Sequence, residues 1–195
     1  MRVNHLGHPI IMLDKVVRAF VTVKEMLSDR GVDISLLDGY SDEEIRAMCR
    51  QMTIFAIPIN DESTLIFDCN PKFRINSVRK FKEDSKYIIV FRDKINNANL
   101  RHLRSHMPGA EVFHLQELLY NVSKHSYVPK HEIVSDPEEV ASIMKTYDIR
   151  HKTQLPVILR TDAMARYLDI KSGDLVRITR SSPTAGVSVS YRMCM

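Results

Sequence analysis

The chain has 195 residues, of which 44% are hydrophobic and 27% are charged. These fractions are close to the averages for soluble globular proteins, and they exclude a globally disordered chain, a collagen, a coiled coil and a disulfide scaffold. Lys and Arg outnumber Asp and Glu by 28 to 24, and residues 121–195 hold 11 of the basic and 8 of the acidic residues. The other 120 residues hold the remaining 17 and 16, so neither part is a polycation that would hold nucleic acid by charge alone.

Cysteine usage and the N-terminus bear on the cellular compartment. Cys49, Cys69 and Cys194 are widely separated, and no two have the spacing of metal ligands, so we expect free thiols in a reducing compartment. Charged residues from Asp14 onward interrupt the apolar residues near the N-terminus, so we expect no signal peptide. No later run has the length of a membrane span. We therefore expect an intracellular, soluble protein with no membrane partner.

The first part of the chain predicts helices followed by a hairpin. Its first ten residues are expected to be a loose tail, and apolar residues then recur at helical spacing over residues 12–30. The acidic residues after Ser41 favour the start of a second helix. The runs Thr53–Ile59 and Thr64–Phe67 predict two strands joined by a polar turn, with Pro58 at a sheet edge.

Helices and strands alternate after this hairpin. The continuous apolar run Tyr87–Phe91 predicts a buried central strand, and residues from Asn96 to His106 have a helical period. Val112 and Phe113 indicate another strand before a short helix. Residues 1–122 therefore predict one three-layer α/β domain.

The polar stretch from Asn121 to Lys130 separates a second predicted domain, residues 123–195. Ser135 and Glu138 predict a capping box for a helix with Pro137 at its first position. Later elements are a strand over Leu155–Arg160, a short helix capped by Asp162, and strands over Leu175–Thr179 and Val187–Tyr191. They predict a small mixed α/β domain.

Two short motifs have spacings that occur in metal sites. His102 and His106 lie four residues apart on a predicted helix, but solvated histidines beside Arg101 and Arg104 are the favoured interpretation. The triplet Asp84-Ser85-Lys86 resembles the acidic-any-Lys motif of magnesium-dependent nucleases, with Asp61 or Asp68 as the required partner, but a charged loop is favoured.

The remaining chemical motifs of enzymes are missing from the sequence. It has no serine elbow, phosphate loop, dinucleotide fingerprint or catalytic Cys–His pattern. The residues therefore favour a binding or assembly protein with no catalytic residue, cofactor, metal or small-molecule substrate. A magnesium-dependent nuclease and a free-standing DNA-binding regulator stay open as alternatives.

A series of motifs resembles one family. Tyr127–His131 resembles the opening of the C-terminal domain of the fifth-largest subunit shared by eukaryotic RNA polymerases I, II and III, a domain similar to a small subunit of archaeal RNA polymerase. Further matches follow in order at the family's spacing: Gln154–Pro156, Ala165–Leu168, Gly173–Ile178, Thr184–Gly186 and Tyr191–Arg192. Met26–Gly31 and Glu117–His125 resemble motifs of the N-terminal domain that only the eukaryotic form carries.

The resemblance implies a non-catalytic subunit of a DNA-directed RNA polymerase. Its C-terminal domain would dock on the largest subunit, and its N-terminal domain would form part of the lower jaw near downstream duplex DNA. It implies other polymerase subunits and transcription factors as further partners. The protein would lie in the nucleus, or in the nucleolus if it serves polymerase I. If a large DNA virus with its own polymerase encodes it, it would lie in the host cell or the virion. We expect docking residues at Arg166, Tyr167, Arg177, Thr184, Tyr191 and Arg192, and DNA-proximal residues at Lys94, Asn96 and Asn97.

Four positions depart from the family pattern. Val157 stands where the family usually has an Arg, and Ala163 stands where it has a Pro. Ser181 replaces the family's proline and Pro183 replaces its glutamate, so the proline has moved and the glutamate is gone. They fall in the part that the family uses to bind its largest subunit. They are the basis for the hypothesis that this chain belongs to a divergent lineage or is a copy specialised to one polymerase.

Overall fold

The computed structural model describes residues 9–72, 81, 86–93, 95–182, 184 and 186–195. The chain divides into two compact units, residues 1–120 and 121–195. Each unit combines helices with its own four-stranded mixed sheet, which confirms the predicted α/β class. Among the described helices, none has the length and apolar character needed to cross a bilayer.

Unit 1 begins with three helices: α1 (Pro9–Asp29), α2 (Ser35–Asp38) and α3 (Asp42–Gln51). Helix α1 begins at Pro9, earlier than expected, so the last two residues of the predicted tail are helical. Gly31 has a φ of 73° and donates its backbone N–H to Ser28, which closes the helix in a conformation that favours glycine. Ser41 and Glu44 form the capping box of α3.

The sheet of unit 1 contains the predicted hairpin and the predicted central strand. Strands β1 (Ile54–Pro58) and β2 (Ser63–Asp68) are antiparallel. Strands β3 (Lys86–Phe91) and β4 (Glu111–His114) come next in the chain, and the order is β1-β2-β3-β4 with the last two pairs parallel. Helix α4 (Asn97–His106) connects β3 to β4, and a 3₁₀ helix, Leu115–Leu118, comes after β4.

Strand β3 is buried on both faces, as the continuous apolar run predicts. Its residues from Tyr87 to Phe91 are all at most 5% exposed. On one face, Ile89 packs in a cluster with Leu103 of α4 and Met107 just beyond it. On the other face Ile88 and Val90 are buried as well. Helices cover such parallel strands on both sides, which gives the layered arrangement.

Unit 2 contains two longer and two shorter strands. They are β5 (Lys130–Val134), β6 (Val157–Ile158), β7 (Leu175–Ser182) and β8 (Gly186–Cys194), in the order β5-β7-β8-β6. The helices are α5 (Pro137–Thr146) and α6 (Ala163–Tyr167), with 3₁₀ helices at Val122–Lys124 and Lys152–Gln154. Strand β8 is antiparallel to β7 and parallel to β6.

Three local predictions for unit 2 need correction. The N-cap of α5 is Asp136, whose carboxylate accepts from the N–H of Glu138, because Pro137 as first helical residue places the cap one position before it. Strand β6 has two residues instead of six, since only Val157 and Ile158 pair with β8. Strands β7 and β8 are each longer than predicted because they pair with each other as far as Ser182 and Gly186.

Two apolar clusters lie on opposite faces of the sheet of unit 2. The first joins α5 to the sheet and contains Val134, Ile143, Leu155, Leu175 and Met193. The second joins α6 to the sheet and contains Ile158, Ala165, Ile170, Val176, Ile178 and Cys194. The alternation of neighbours such as Leu175 and Val176 between clusters results from the two-residue period of a strand.

Candidate subunit-docking surface and DNA-proximal helix

The β7–β8 hairpin extends past the rest of its sheet. Strand β5 reaches only Thr179 of β7, and β6 pairs only with the last residues of β8. The hairpin tip, defined as residues 180–182, 184 and 186–190, is therefore two-stranded in the described part of the chain, except beside Val189 and Ser190, whose β7 partners also pair with β5. Gly186, with a φ of 70°, starts the returning strand, and its left-handed conformation is one that other residues rarely adopt.

The hairpin tip presents apolar side chains to solvent. Val187 is 62% exposed and Val189 is 42% exposed, and both lie on the face that continues to Tyr191. Thr184 is exposed in the turn, with its hydroxyl 3.4 Å from that of Ser182. A row of exposed β-branched residues on a projecting hairpin is suited to contact with another protein.

Arg177 and Tyr191 form a cluster at the base of this row. They are partners in the β7–β8 register, and the Arg177 guanidinium lies 5.9 Å from the centre of the Tyr191 ring. Glu139 of α5 forms an ion pair with Arg177, and Tyr147 meets the Tyr191 ring edge-on at 5.7 Å. Hydrogen bonds with Tyr191 and Glu139 raise the pKa of Arg177, which keeps a fixed positive charge beside the aromatic pair.

Arg166, Tyr167 and Arg192 lie elsewhere. Tyr167 is only 4% exposed, and its hydroxyl oxygen accepts from the side-chain amide of Asn121 at 2.8 Å, so the ring packs in the core. Arg192 is half-buried and donates to the carbonyl oxygen of Val157 at 3.1 Å, which ties β8 to β6. Arg166 is half-buried on α6, whose N-cap is the predicted Asp162.

The six predicted docking residues are thus not one contiguous site. Arg177 and Tyr191 share one face of the sheet, whereas Arg192 comes after Tyr191 in the strand and lies on the opposite face. Arg166 belongs to the helix that packs on that opposite face, and Thr184 lies in the turn. Their role in docking remains a prediction.

Sequence reasoning did not identify four residues of this surface. Glu139 and Tyr147 are far in the chain from Arg177 and Tyr191, and they meet these partners, respectively, only after α5 folds onto the sheet. Val187 and Val189 have the alternation of a strand, but alternation does not tell which face is exposed when a strand extends past its neighbours.

Two of the three predicted DNA-proximal residues lie at the start of α4. Asn96 is the N-cap, and its side-chain oxygen accepts from the N–H of Asn99 at 2.7 Å. Asn97 is the first helical residue and is exposed, whereas Lys94 lies outside the described residues. The helix also exposes Arg101 and Arg104 and has no acidic residue.

The motifs with metal-site spacing do not form a metal centre in the described residues. His102 and His106 lie one turn apart on α4, but no group of three His, Cys, Asp or Glu side chains is close enough there to hold an ion. Asp84 and Ser85 lie outside the described residues. Lys86 lies 3.8 Å from Glu62, and the buried Asp68 accepts hydrogen bonds from Asn70.

Comparison with known proteins agrees with the motif series. The family model of the RNA polymerase Rpb5 C-terminal domain matches residues 120–194. The subunit rpabc1 of DNA-directed RNA polymerases I, II and III of Dictyostelium discoideum is 28% identical over 94% of this chain and 98% of its own length. Subunit 5B of polymerases IV and V of Arabidopsis thaliana is 29% identical over 96% of this chain and 94% of its own. Subunit 5A of polymerase V of the same plant is 26% identical over 85% of this chain and 78% of its own length.

The similarity to these relatives extends over both units, and the family model covers nearly all of unit 2. It includes the hairpin, α6 and the motifs from Tyr127 to Arg192. Unit 2 therefore matches the Rpb5 C-terminal domain, and the chain as a whole is similar to Rpb5-like subunits of RNA polymerases.

Proposed function

We propose that this chain is a non-catalytic subunit that docks through unit 2 on the largest subunit of a DNA-directed RNA polymerase. The observation that carries the proposal is the row of exposed apolar side chains along the hairpin tip, Val187 and Val189, which ends at the Arg177–Tyr191 cluster. Interfaces between subunits typically bury an apolar centre beside Tyr and Arg anchors. Arg166, Thr184 and Arg192 would then contact the partner from the turn and the opposite face, and Tyr167 would act by supporting α6.

The size of the expected effect depends on the exposure of the two valines. Complete burial of their remaining surface by a partner would contribute on the order of 1 kcal/mol each. A carboxylate at the same place would lose this contribution and would also have to be desolvated. We therefore expect Val189→Asp to weaken binding to the largest subunit by roughly tenfold or more.

A matched control lies one residue away. Ser188 is exposed on the other face of the same strand, so Ser188→Asp adds the same charge without entering the apolar row. Each variant of the full chain is tagged and purified from cells with its associated proteins, and the recovered largest subunit is quantified. Loss of recovery with Val189→Asp but not with Ser188→Asp supports the proposal. Equal recovery with both would show that this face does not dock, and the absence of polymerase subunits from the wild-type sample would overturn the function.

For unit 1 we propose a jaw-like role near downstream duplex DNA. Lys94, Asn96 and Asn97 would face the phosphates, supported by the positive end of α4 and by the side chains of Arg101 and Arg104 on the same helix. These groups contact backbone and read no bases. The isolated chain would therefore bind duplex DNA weakly and without sequence preference.

Salt dependence tests this role. With about two phosphate contacts, raising the salt from about 50 to about 200 mM should weaken binding roughly tenfold. Fluorescence anisotropy of the full chain with a labelled duplex measures this, with Arg101→Gln and Arg104→Gln as variants that reduce the slope. Nanomolar, salt-insensitive binding would contradict the jaw role and favour a free-standing DNA-binding regulator.

We further propose that the chain is nuclear and specialised to one polymerase. Relatives named as subunits of polymerases I, II and III and of polymerases IV and V support the nuclear assignment, and a relative named as a subunit of polymerase V alone supports the specialisation. Val157 is 37% exposed, and Ala163 and Ser181 are exposed as well, so these departures from the family pattern are at surfaces that a partner can reach. Pro183 lies outside the described residues. Equal recovery of the largest subunits of all nuclear polymerases would refute the specialisation.

The nuclease alternative is not favoured. All three relatives are polymerase subunits, and the matched family model is a polymerase-subunit domain. Magnesium-dependent cleavage of DNA by the purified chain, abolished by Asp84→Asn, would restore it.

A further inference from the structure

Two cysteines that are distant in sequence lie in contact in unit 1. Cys49 is in the last turn of α3, and Cys69 comes directly after β2, 20 residues later. Their Sγ atoms are 3.6 Å apart, and both side chains are half-buried. The backbone N–H of Cys69 donates to the carbonyl oxygen of Thr53 at 2.8 Å, which holds Cys69 beside the connection from α3 to β1.

The surroundings make the two thiols unequal. A hydrogen bond from the Cys69 thiol lowers the pKa of Cys49, and the nearby Arg92 guanidinium acts in the same direction. The same hydrogen bond, together with burial and the carboxylate of Asp68, raises the pKa of Cys69. Arg92 comes directly after β3, where its backbone N–H donates to the backbone carbonyl oxygen of Asp68 at 3.0 Å. Cys49 is therefore the thiol that ionises first, and Cys69 keeps its proton.

We propose that Cys49 and Cys69 are a redox-active dithiol that a peroxide, such as hydrogen peroxide, oxidises to an intramolecular disulfide. The Cys49 thiolate attacks one peroxide oxygen, the O–O bond breaks, and after one proton is taken up the products are a Cys49 sulfenic acid and water. The Cys69 sulfur then attacks the Cys49 sulfur, an S–S bond forms, and the hydroxyl leaves as a second water with the Cys69 proton. Two thiols are oxidised by two electrons, and one peroxide is reduced to two waters.

The geometry supports the second step. A disulfide has its sulfurs about 2.0 Å apart, so the present contact must shorten by roughly 1.6 Å. The bond would tie the end of α3 to the end of β2, two elements whose relative position otherwise depends on packing. The proposal goes beyond the role in a polymerase and does not depend on it.

Cys194 provides an internal control. Its side chain is buried in unit 2, its Sγ lies 3.9 Å from the carbonyl oxygen of Ile170, and burial raises its pKa. It belongs to a different unit from the pair. It should react slowly with peroxide and with alkylating reagents.

The test uses the reduced full chain treated with hydrogen peroxide, then denatured and treated with N-ethylmaleimide so that the buried Cys194 also reacts, and analysed by mass spectrometry before and after dithiothreitol. We expect the oxidised chain to lose two hydrogen atoms in mass, to keep one alkylatable thiol of its three, and to yield a reducible peptide pair that contains Cys49 and Cys69. Cys194→Ser should oxidise like the wild type. Cys49→Ser should form no disulfide, and Cys69→Ser should accumulate a sulfenic acid at Cys49 that dimedone labels.

A second measurement needs no variant. In the folded wild-type chain, iodoacetamide should modify Cys49 roughly tenfold faster than Cys194, because the rate of alkylation depends on the exposed thiolate. The proposal is overturned if peroxide leaves all three thiols free, if the disulfide joins two chains or includes Cys194, or if Cys49 and Cys194 react at equal rates.

Discussion

The ion pair between Arg30 and Glu111 gives a structural role to Arg30 in the family-like motif Met26–Gly31. Arg30 lies in the Met26–Gly31 motif at the end of α1, and two guanidinium nitrogens donate to the two Glu111 carboxylate oxygens, each at 2.8 Å. The Arg30 side chain is 8% exposed and that of Glu111 is 27% exposed. The pair therefore joins α1 to β4 in a bidentate arrangement largely shielded from water.

Glu111→Gln removes the charge of the acceptor and keeps its shape. The buried guanidinium would then face a neutral amide in place of the carboxylate, and loss of one partner of a fully buried pair costs about 3–5 kcal/mol. Because Glu111 is partly exposed, water replaces some of this loss, and we expect the free energy of unfolding of unit 1 to fall by about 2 kcal/mol. The control is Glu62→Gln, since Lys86 and Glu62 are 3.8 Å apart and 75% and 80% exposed. Such exposed pairs contribute less than about 0.5 kcal/mol.

Hydrogen exchange followed by mass spectrometry, at increasing urea, measures this effect in each unit of the full chain. Peptides from β3 and β4 should lose about 2 kcal/mol of protection in Glu111→Gln, whereas peptides from β7 and β8 should be unchanged. The reasoning would be refuted if Glu111→Gln and Glu62→Gln had equal effects, or if protection in unit 1 did not change.

Three further predictions concern local structure. Gly31→Ala should lower the stability of unit 1 by about 1 kcal/mol in urea unfolding, because φ is positive there although a Cβ would meet no atom within 4 Å; an unchanged midpoint would contradict this. Asp162→Ala should lower the free energy of unfolding by about 1 kcal/mol because it removes the N-cap of α6, whereas Asp162→Asn should retain most of the capping stabilisation. The Ser41 backbone and hydroxyl donate to Glu44 and lower the pKa of its carboxyl, so the folded chain binds this proton less readily than the unfolded chain. The ionised Glu44 carboxylate therefore stabilises the fold at a pH above its pKa in the unfolded chain, and this stabilisation is lost as the pH falls through its pKa in the folded chain. Glu44→Gln should remove this part of the pH dependence of the thermal midpoint.

Local patterns in the sequence predicted most of the elements. The helical spacing of residues 12–30, the continuous apolar run of β3 and the polar turn between β1 and β2 each depend on neighbours within a few residues. The ordered motifs from Tyr127 to Arg192 likewise indicated the polymerase-subunit family. The β-strand propensity of residues 155–160 could not determine the length of β6, because that length depends on how many of these residues pair with β8.

The amino-acid sequence by itself thus determined the α/β class, the order of the helices and strands and the family resemblance. Only the tertiary structure decided which distant side chains meet. It separated Tyr191 from Arg192 across the sheet, placed Glu139 on Arg177, and brought Cys49 to 3.6 Å from Cys69. The physical reason is that periodicity reports the burial of each residue within its own element, whereas contacts between elements depend on strand register and on the packing of helices onto sheets.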